Sequence, residues 1–168
     1  MCQGGTCKTS VVEIRTKSNS DNKTQISLYI NVCNVSSAAL SLTGYSVKYW
    51  FTSDGTQGAQ MCEIDSDPFS VKPTLTVTSF ALADFRVKAD TVLVANFGSG
   101  SLAAGACTGD IQLRIHPVDY SGPTAYGAQT GDYSYLASPT TSAANQNVTA
   151  YNDKGLLIWG LEPAPAPQ

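Results

Sequence analysis

A stretch rich in residues that can bind polar ligands lies between positions 114 and 135. It contains the chain's only histidine, His116, together with Arg114, the carboxylates Asp119 and Asp132, and several tyrosines. Prolines and glycines in the same stretch forbid both a helix and an uninterrupted strand. The pattern predicts a strand that opens into a loop of aromatic and charged groups, and such a loop is typical of a recognition surface.

Two aspartates lie in sequences typical of turns, and their carboxylates are of the kind that a hard metal ion could bind. Asp54 lies in the sequence TSDG, and Asp132 precedes a short alternating segment. Carboxylates and backbone carbonyls are the oxygen ligands that calcium prefers. Aspartate is also common in turns that bind no metal, and from spacing alone this turn-forming role is favoured over metal ligation.

Composition restricts the kind of partner. The chain has 168 residues, of which 14% are charged, and its net charge is -3. This length suits one domain, and the lack of a basic cluster argues against nucleic acid or an anionic membrane surface as a partner. No run of about 18 apolar residues occurs, so no segment is expected to cross a bilayer. The abundant Ser, Thr, Asn and Gly suit a neutral, hydroxyl-rich partner.

The cysteines and sequons point to a secreted protein. Five cysteines are many for a cytosolic domain of this size, and Cys2 and Cys7 are close enough to close a small loop. A single histidine and the lack of a Cys-x-x-Cys motif argue against a zinc site. Sequons that begin at Asn22, Asn34 and Asn147 are compatible with secretion, and equally with chance in a chain rich in Ser, Thr and Asn.

The chain ends suggest a piece of a longer protein. No signal peptide is recognisable after Met1, and residues 163–168, PAPAPQ, have the composition of a stiff linker. We therefore predict an N-terminal extension over residues 1–9, one module over 10–162 and the start of a Pro/Ala linker over 163–168.

Short alternating segments separated by Gly, Pro, Asn and Asp dominate the chain, and no segment keeps the helical period over three turns. Strands are predicted over 10–16, 25–33, 44–51, 60–64, 75–77, 83–88, 91–97, 110–115, 133–135 and 149–159, the last segment with a turn at 152–155. This pattern predicts an all-β sandwich or barrel. The pattern alone does not separate a lectin-like sandwich from an adhesion domain or a small β enzyme.

Four sequence blocks carry a resemblance. Residues 148–151 (VTAY) and 158–163 (IWGLEP) resemble the terminal hairpin of family 3 carbohydrate-binding modules, with the pattern V-T-x-Y, a turn, and V-W-G-x-E-P. Residues 48–55 (KYWFTSDG), 97–105 (FGSGSLAAG) and 132–135 (DYSY) agree with the same family in order and rough spacing. The resemblance covers about residues 10–163. It implies a two-sheet antiparallel β-sandwich with jelly-roll topology and about nine strands.

The resemblance also implies a function and a metal. Family members bind cellulose without catalysis and are joined by linkers to a cellulase or a scaffold protein. They hold a structural calcium ion, and its ligands carry over to Thr52, Asp54, Ala128, Gly131 and Asp132. Ala128 and Gly131 stand where the family has Thr and Asn, so these two positions lack the side-chain oxygens and could contribute carbonyls only.

Cellulose binding in the family uses a flat strip of rings and polar side chains, which cover the apolar faces of glucose units and bind their hydroxyls. Arg114 matches the family's arginine and Tyr120 stands at its tryptophan. The family's Asp-His pair is replaced by Glu63 and Ile64, so the histidine is missing. Further expected members of the strip are Phe69 as the loop aromatic, Asp65 and Asp67 as nearby polar groups, and His116, Asp119 and Tyr126 as an extension of the face.

Three functions remain open on the sequence. The first is a noncatalytic module that binds cellulose or a related β-glucan. The second is a module that lacks a complete strip and docks on a catalytic domain. The replacement of the family's Asp-His pair by Glu63 and Ile64 is consistent with this alternative. The third is a small hydrolase that uses Asp119 and Asp132 as an acid and base pair. Tyr120 and Tyr126 could also be packed loop tyrosines, and Arg114 could simply pair with Asp119 or another carboxylate.

Overall fold

A computed structural model describes residues 2–3, 6–7, 10–18, 24–54, 58–119, 126–127, 129–137 and 140–167, with only the backbone of residues 2–3 and 6–7. The strands are β1 (Cys2–Gln3), β2 (Thr6–Cys7), β3 (Val12–Ser18), β4 (Ile26–Asn34), β5 (Leu40–Ser41), β6 (Ser46–Phe51), β7 (Gln60–Ser66), β8 (Thr74–Ser79), β9 (Thr91–Asn96), β10 (Ser101–Leu102), β11 (Ile111–Pro117), β12 (Ala143–Ala144), β13 (Thr149–Tyr151) and β14 (Leu157–Trp159). Two short 3-10 segments, Leu82–Asp84 and Gln129–Gly131, are the helical elements of the described part. Among the described residues, no helix is long and apolar enough to span a bilayer.

Two five-stranded antiparallel sheets form the body of the molecule. One has the order β12-β3-β4-β11-β7 and is called the β11 sheet; the other has the order β14-β13-β6-β9-β8 and is called the β6 sheet. Alternate residues of each strand point between the sheets, because side chains on a strand alternate between its two faces. The core between the sheets includes Ile14, Leu28, Ile30, Tyr49, Phe51, Leu93, Leu113 and Ile115, each at most 1% exposed. The predicted all-β, two-sheet sandwich is confirmed.

Two of the predicted strands are wrong. Residues 83–88 form the end of a 3-10 segment and a tight turn, in which Arg86 and Ala89 exchange backbone hydrogen bonds. Lys88 has a positive φ of 60°, which breaks extended pairing at this point. Residues 133–135 form a turn after Gln129–Gly131, and their backbone donates singly to Lys88 and Trp50 rather than in a ladder.

Two of the five cysteines, Cys33 and Cys107, form a disulfide, and their backbones form an isolated antiparallel bridge. Cys2 and Cys7 are direct partners in the β1–β2 ladder, and their side chains lie outside the described residues. Among the cysteines whose side chains are described, Cys62 is the free one. Burial raises the pKa of its thiol to about 12.

The sequon asparagines differ in accessibility. Asn34 is fully buried, and its Nδ2 lies 2.8–3.0 Å from the carbonyl oxygens of Ala38, Leu102 and Ala103. A side chain bonded in this way cannot carry a glycan in the folded protein. Asn147 is exposed, whereas Asn22 lies outside the described residues.

The C-terminal segment lies against the body of the module. The amide of Val87 donates to Ala164 O and the amide of Ala166 donates to Phe85 O, both at 2.8 Å. Pro163 is buried. Residues 163–167 therefore pack against the module and do not project from it as a free spacer. The predicted division into 1–9, 10–162 and 163–168 stays a prediction.

Substituting Gly160, which belongs to the WGLEP block, is expected to destabilise the fold. Its φ is +81°, and a Cβ at this position would stand 2.1 Å from the carbonyl oxygen of Val148. Gly155 has a similar φ of +71° but open space around the same position. We expect Gly160→Ala to lower the free energy of unfolding by roughly 2 kcal/mol more than Gly155→Ala, since both introduce backbone strain but only the former creates a clash. Urea unfolding of the two variants measures this difference, and equal losses would contradict the steric argument.

Candidate functional site

Strand β11 determines which residues of the 114–135 stretch reach the surface. Leu113 and Ile115 point into the core and are at most 1% exposed. Gln112 and Arg114 alternate with them and therefore point to the outer face of the β11 sheet, where both are partly exposed. His116 lies on the same side of the strand but is buried. This face is the candidate binding face.

Arg114 is held between two carboxylates on this face. Glu63 lies directly opposite it on β7, and Arg114 Nη2 is 2.6 Å from Glu63 Oε2 and 3.1 Å from Asp65 Oδ1. The β7–β11 register shifts between Gln112 and Leu113, so Asp65 has no partner in the ladder. A bulge of this kind re-aims a side chain, and here it turns the Asp65 carboxylate to the guanidinium. The three side chains are 28–43% exposed, so the cluster remains accessible to a ligand.

His116 lies next to this cluster and is buried. Its side chain is 3% exposed, its Nε2 is 3.5 Å from Glu63 Oε2, and its Nδ1 is 2.8 Å from Pro117 O. The prediction that His116 extends the binding face is therefore wrong. Its position allows it to contact the Glu63 carboxylate as a buried neighbour.

Tyr126 is also buried. It is 0% exposed, its ring packs 6.5 Å from that of Phe51, and its hydroxyl donates to Gln60 Oε1 at 2.9 Å. The prediction that its ring extends the face is wrong, because the hydroxyl finds a partner within the protein and the ring fills the core. The packed-tyrosine alternative describes this residue.

The remaining predicted sugar contacts lie towards the two ends of β11. Ser66 at the end of β7 is opposite Gln112, and the following turn carries Phe69, which is 39% exposed. Asp67 holds this turn by accepting the amides of Phe69 and Lys72 at 3.2 and 2.7 Å. Asp119 is exposed just beyond the other end of β11. Tyr120 lies outside the described residues, so its place on the face stays a prediction.

The face also contains residues that the sequence analysis did not single out. Lys17 on β3, Tyr29 on β4 and Gln112 on β11 are direct cross-strand neighbours. They form one row across the outer face of the β11 sheet, beside Arg114. The alternation of β4, in which Leu28 and Ile30 point inward, could have identified Tyr29 from the sequence.

The predicted metal ligands converge around Asp132. Its carboxylate is 5% exposed, and its Oδ1 accepts hydrogen bonds from both the amide and the hydroxyl of Thr52. Thr52 Oγ1 is also 3.1 Å from Asp54 Oδ1, and Asp54 Oδ2 accepts the amide of Gly127 at 2.8 Å. Asp54 has a positive φ of 52°. Thus Thr52, Asp54 and Asp132 are brought together as predicted.

The electrostatics of this cluster suit a cation. Asp132 Oδ2 is buried and has no hydrogen-bond partner among the described residues. Burial, followed by the negative charges of Asp54 and Asp90, raises the pKa of Asp132 to about 6. The sequence analysis missed Asp90, whose carboxylate accepts the amide of Ser53 at 2.7 Å and so fixes the Thr52 turn.

The remaining predicted ligands are less well defined. Gly131 is exposed in the second 3-10 segment, and Ala128 lies outside the described residues. No group of three or more His, Cys, Asp or Glu side chains is arranged to hold a metal in the part of the chain that the structure describes. A cation here would therefore need hydroxyl and carbonyl oxygens in addition to the carboxylates of Asp54 and Asp132, a donor set that calcium accepts.

Comparison with known proteins agrees with this architecture. A family model described as "Cellulose binding domain" matches residues 11–160. The chain is 36% identical over 162 residues to endoglucanase 5 of Pectobacterium carotovorum subsp. carotovorum, a match that covers 95% of this chain and 30% of that protein. It is 32% identical over 163 residues to cellulose-binding protein A of Clostridium cellulovorans, covering 92% of this chain and 8% of that protein. The chain thus spans less than a third of the length of these curated relatives.

Solved structures show the same fold. The CBM3b module of the major scaffoldin subunit ScaA from Acetivibrio cellulolyticus superposes with a TM-score of 0.77 at 31% identity, covering 91% of this chain and 97% of that one. The CBM3a-L domain of scaffoldin cipA from Clostridium thermocellum superposes with a TM-score of 0.76 at 26% identity, covering 95% and 97%. On the family match and these structures, the chain belongs to family 3 of the carbohydrate-binding modules, the cellulose-binding domain family.

Proposed function

We propose that this chain is a noncatalytic module that binds cellulose or a related β-glucan through the outer face of the β11 sheet. The observation that carries the proposal is the position of Arg114, fixed between Glu63 and Asp65 on an exposed sheet face. The carboxylates hold the guanidinium in one geometry, and the exposed cluster of one guanidinium and two carboxylates presents both donors and acceptors to sugar hydroxyls. Preorganised groups of this kind lose little conformational entropy when a ligand binds.

The change of the family's Asp-His pair to Glu63 and Ile64 does not remove the carboxylate. Glu63 supplies it one methylene further from the backbone, and the buried His116 approaches the same carboxylate at 3.5 Å. This arrangement supports direct binding to the polysaccharide over the alternative of a module that only docks on a catalytic domain. The hydrolase alternative loses support, since Asp132 is 5% exposed and bonded to Thr52.

Further parts of the proposal concern the metal and the longer protein. Calcium bound by Thr52, Asp54 and Asp132, with carbonyls from positions 128 and 131, would neutralise the buried carboxylate and join the Thr52 turn to the Asp132 turn. The endoglucanase and the cellulose-binding protein named above are several times longer than this chain. This supports a covalently linked catalytic or scaffold domain as the partner, and a secreted location where plant polysaccharide is found.

Depletion isotherms on microcrystalline cellulose test the binding proposal. We expect the wild type to adsorb and Tyr120→Ala to lose most of the adsorption, since the family resemblance assigns to this position a ring that covers a glucose face. Equal adsorption by the two proteins would contradict the role of Tyr120. Parallel isotherms on amorphous cellulose, chitin and xylan define the polysaccharide class.

The docking alternative has its own signature in the same experiment. A module that acts only on an attached enzyme would adsorb to none of the four polysaccharides and would remain in the supernatant. Deleting it from the longer protein would then reduce processivity. Adsorption of the isolated chain with a measurable affinity would exclude this alternative as the sole function.

A further inference from the structure

Tyr29 occupies an unusual place in strand β4. Of the nine residues in this strand, only Tyr29 and Asn31 are partly exposed. Because Leu28 and Ile30 point into the core, Tyr29 points to the outer face of the β11 sheet. It is the direct cross-strand neighbour of Gln112, which lies two residues from Arg114 on β11. An aromatic ring is therefore placed on the same face as the Arg114 cluster.

The ring of Tyr29 is positioned by an ion pair. Lys17 Nζ lies 4.3 Å from the ring centroid and 2.8 Å from Asp110 Oδ2. Asp110 Oδ1 in turn accepts Ser142 Oγ at 2.6 Å and Asn31 Nδ2 at 3.4 Å. Although partial burial opposes it, the hydrogen bonds from Lys17 and Ser142 hold the pKa of Asp110 below its usual value. A lysine fixed in this way holds the ring through a cation–π contact.

The spacing between Tyr29 and Arg114 suits an extended ligand. Tyr29 is diagonal to Arg114 across the β4–β11 pair, and diagonal neighbours of this kind are about 7–8 Å apart. A β-glucan presents ring faces and equatorial hydroxyls at successive units. One ligand surface could therefore contact the Tyr29 ring and the Arg114 cluster at the same time, without any rearrangement of the sheet.

We infer that Tyr29, held by Lys17, is a further sugar-contacting ring that widens the binding face from β11 across β4 to β3. The inference rests on the proposed function, and it adds a contact at a position outside the sequence blocks that identify the family. The ligand class is the same β-linked glucan. Its ring face packs on Tyr29 and its hydroxyls are within reach of the neighbouring Gln112 amide.

Adsorption isotherms of Tyr29→Ala and Tyr29→Phe test this inference. Tyr29→Ala is expected to bind microcrystalline cellulose roughly tenfold more weakly than the wild type, since the substitution removes a ring that packs on a glucose face. Tyr29→Phe keeps the ring and should fall between the two. Thermal unfolding of each variant shows whether the sheet is intact.

The chain offers a matched control on the opposite side of the sandwich. Lys48 Nζ lies 4.3 Å from the ring of Tyr151 on the β6 sheet, the same distance as Lys17 from Tyr29. Lys17→Met is expected to weaken adsorption severalfold, because it frees the ring, whereas Lys48→Met should leave it unchanged. Equal effects of the two lysine substitutions would show that the cation–π pair acts on stability alone and would overturn the inference.

The outcomes also separate this inference from the proposed function. If the wild type adsorbs to one of the four polysaccharides and Tyr29→Ala adsorbs with the same affinity, the role of Tyr29 is refuted while the proposed function stands. If the wild type adsorbs to none of them, the proposed function fails and the role of Tyr29 fails with it. A selective loss in Tyr29→Ala and Lys17→Met supports both.

Discussion

Replacing Arg114 with alanine is expected to weaken adsorption to microcrystalline cellulose roughly a hundredfold, which corresponds to about 3 kcal/mol. The substitution removes the guanidinium donors from the centre of the face. In the wild type, the Glu63 and Asp65 carboxylates both contact Arg114 Nη2. The substitution leaves these two carboxylates next to each other without a cation between them. Like charges at this distance repel, so the two side chains should turn apart and lose the geometry that binds hydroxyls.

Two further variants separate charge from geometry in this experiment. Arg114→Lys keeps the positive charge but cannot contact both carboxylates through a planar fork, and it is expected to recover only part of the affinity. Arg86 lies outside the β11 sheet, and its backbone forms isolated bridges with Ala89 and Pro165. Arg86→Ala therefore removes an arginine away from the binding face and should adsorb like the wild type. Depletion isotherms give the affinities and thermal unfolding gives the stabilities. Wild-type adsorption by a folded Arg114→Ala protein would refute the assignment of this face.

The fold could be predicted from the sequence because apolar residues alternate over the central part of several strands. In β4, Leu28 and Ile30 point to one face while Tyr29 and Asn31 point to the other, and this period of two is what a half-buried strand requires. Residues 83–88 have a similar composition but did not form a strand. The positive φ of Lys88 depends on the turn with which the segment packs, and no local pattern specifies it.

The candidate site was predictable in its residue types but not in its geometry. Arg114 and Glu63 face each other because of the register between β7 and β11, and Asp65 joins them because that register shifts at a bulge. Both features depend on pairing between distant segments. The burial of His116 and Tyr126 also could not be predicted. Alternation along β11 places His116 on the outer face, although the residue is buried, and Tyr126 lies outside the strands, where no periodicity shows which way a side chain points.

The second large effect is expected on stability when calcium is removed. In buffer that holds free calcium about a thousandfold above its dissociation constant, bound calcium would stabilise the folded state by about 4 kcal/mol. Chelation with EDTA should therefore lower the unfolding midpoint of the wild type by many degrees. The physical reason is the buried Asp132 Oδ2, which has no hydrogen-bond partner among the described residues, beside the negative charge of Asp54.

Variants at two aspartates show whether the effect belongs to this site. Asp132→Asn removes one of the two carboxylates and is expected to abolish most of the difference between calcium and EDTA. Asp67 accepts the amides of Phe69 and Lys72 in a different turn and is not among the proposed ligands. Asp67→Asn should therefore keep the full difference in unfolding midpoint between calcium and EDTA. An unchanged wild-type midpoint after chelation would count against a structural calcium ion.

The pH dependence of the chelated protein gives an independent check with a definite sign. In the metal-free protein the pKa of Asp132 is raised to about 6, first by burial and then by the charges of Asp54 and Asp90, whereas in the unfolded chain it is about 4. Between these two pH values Asp132 is protonated in the folded state and deprotonated in the unfolded state. The free energy of unfolding of the EDTA-treated protein should therefore fall by roughly 3 kcal/mol as the pH rises from about 4 to about 6, and then level off. With calcium present the carboxylate is charged and paired, so the fall should be largely absent. The difference between the two melting curves should therefore widen across this pH window, and a constant difference would mean that Asp132 does not bind the ion.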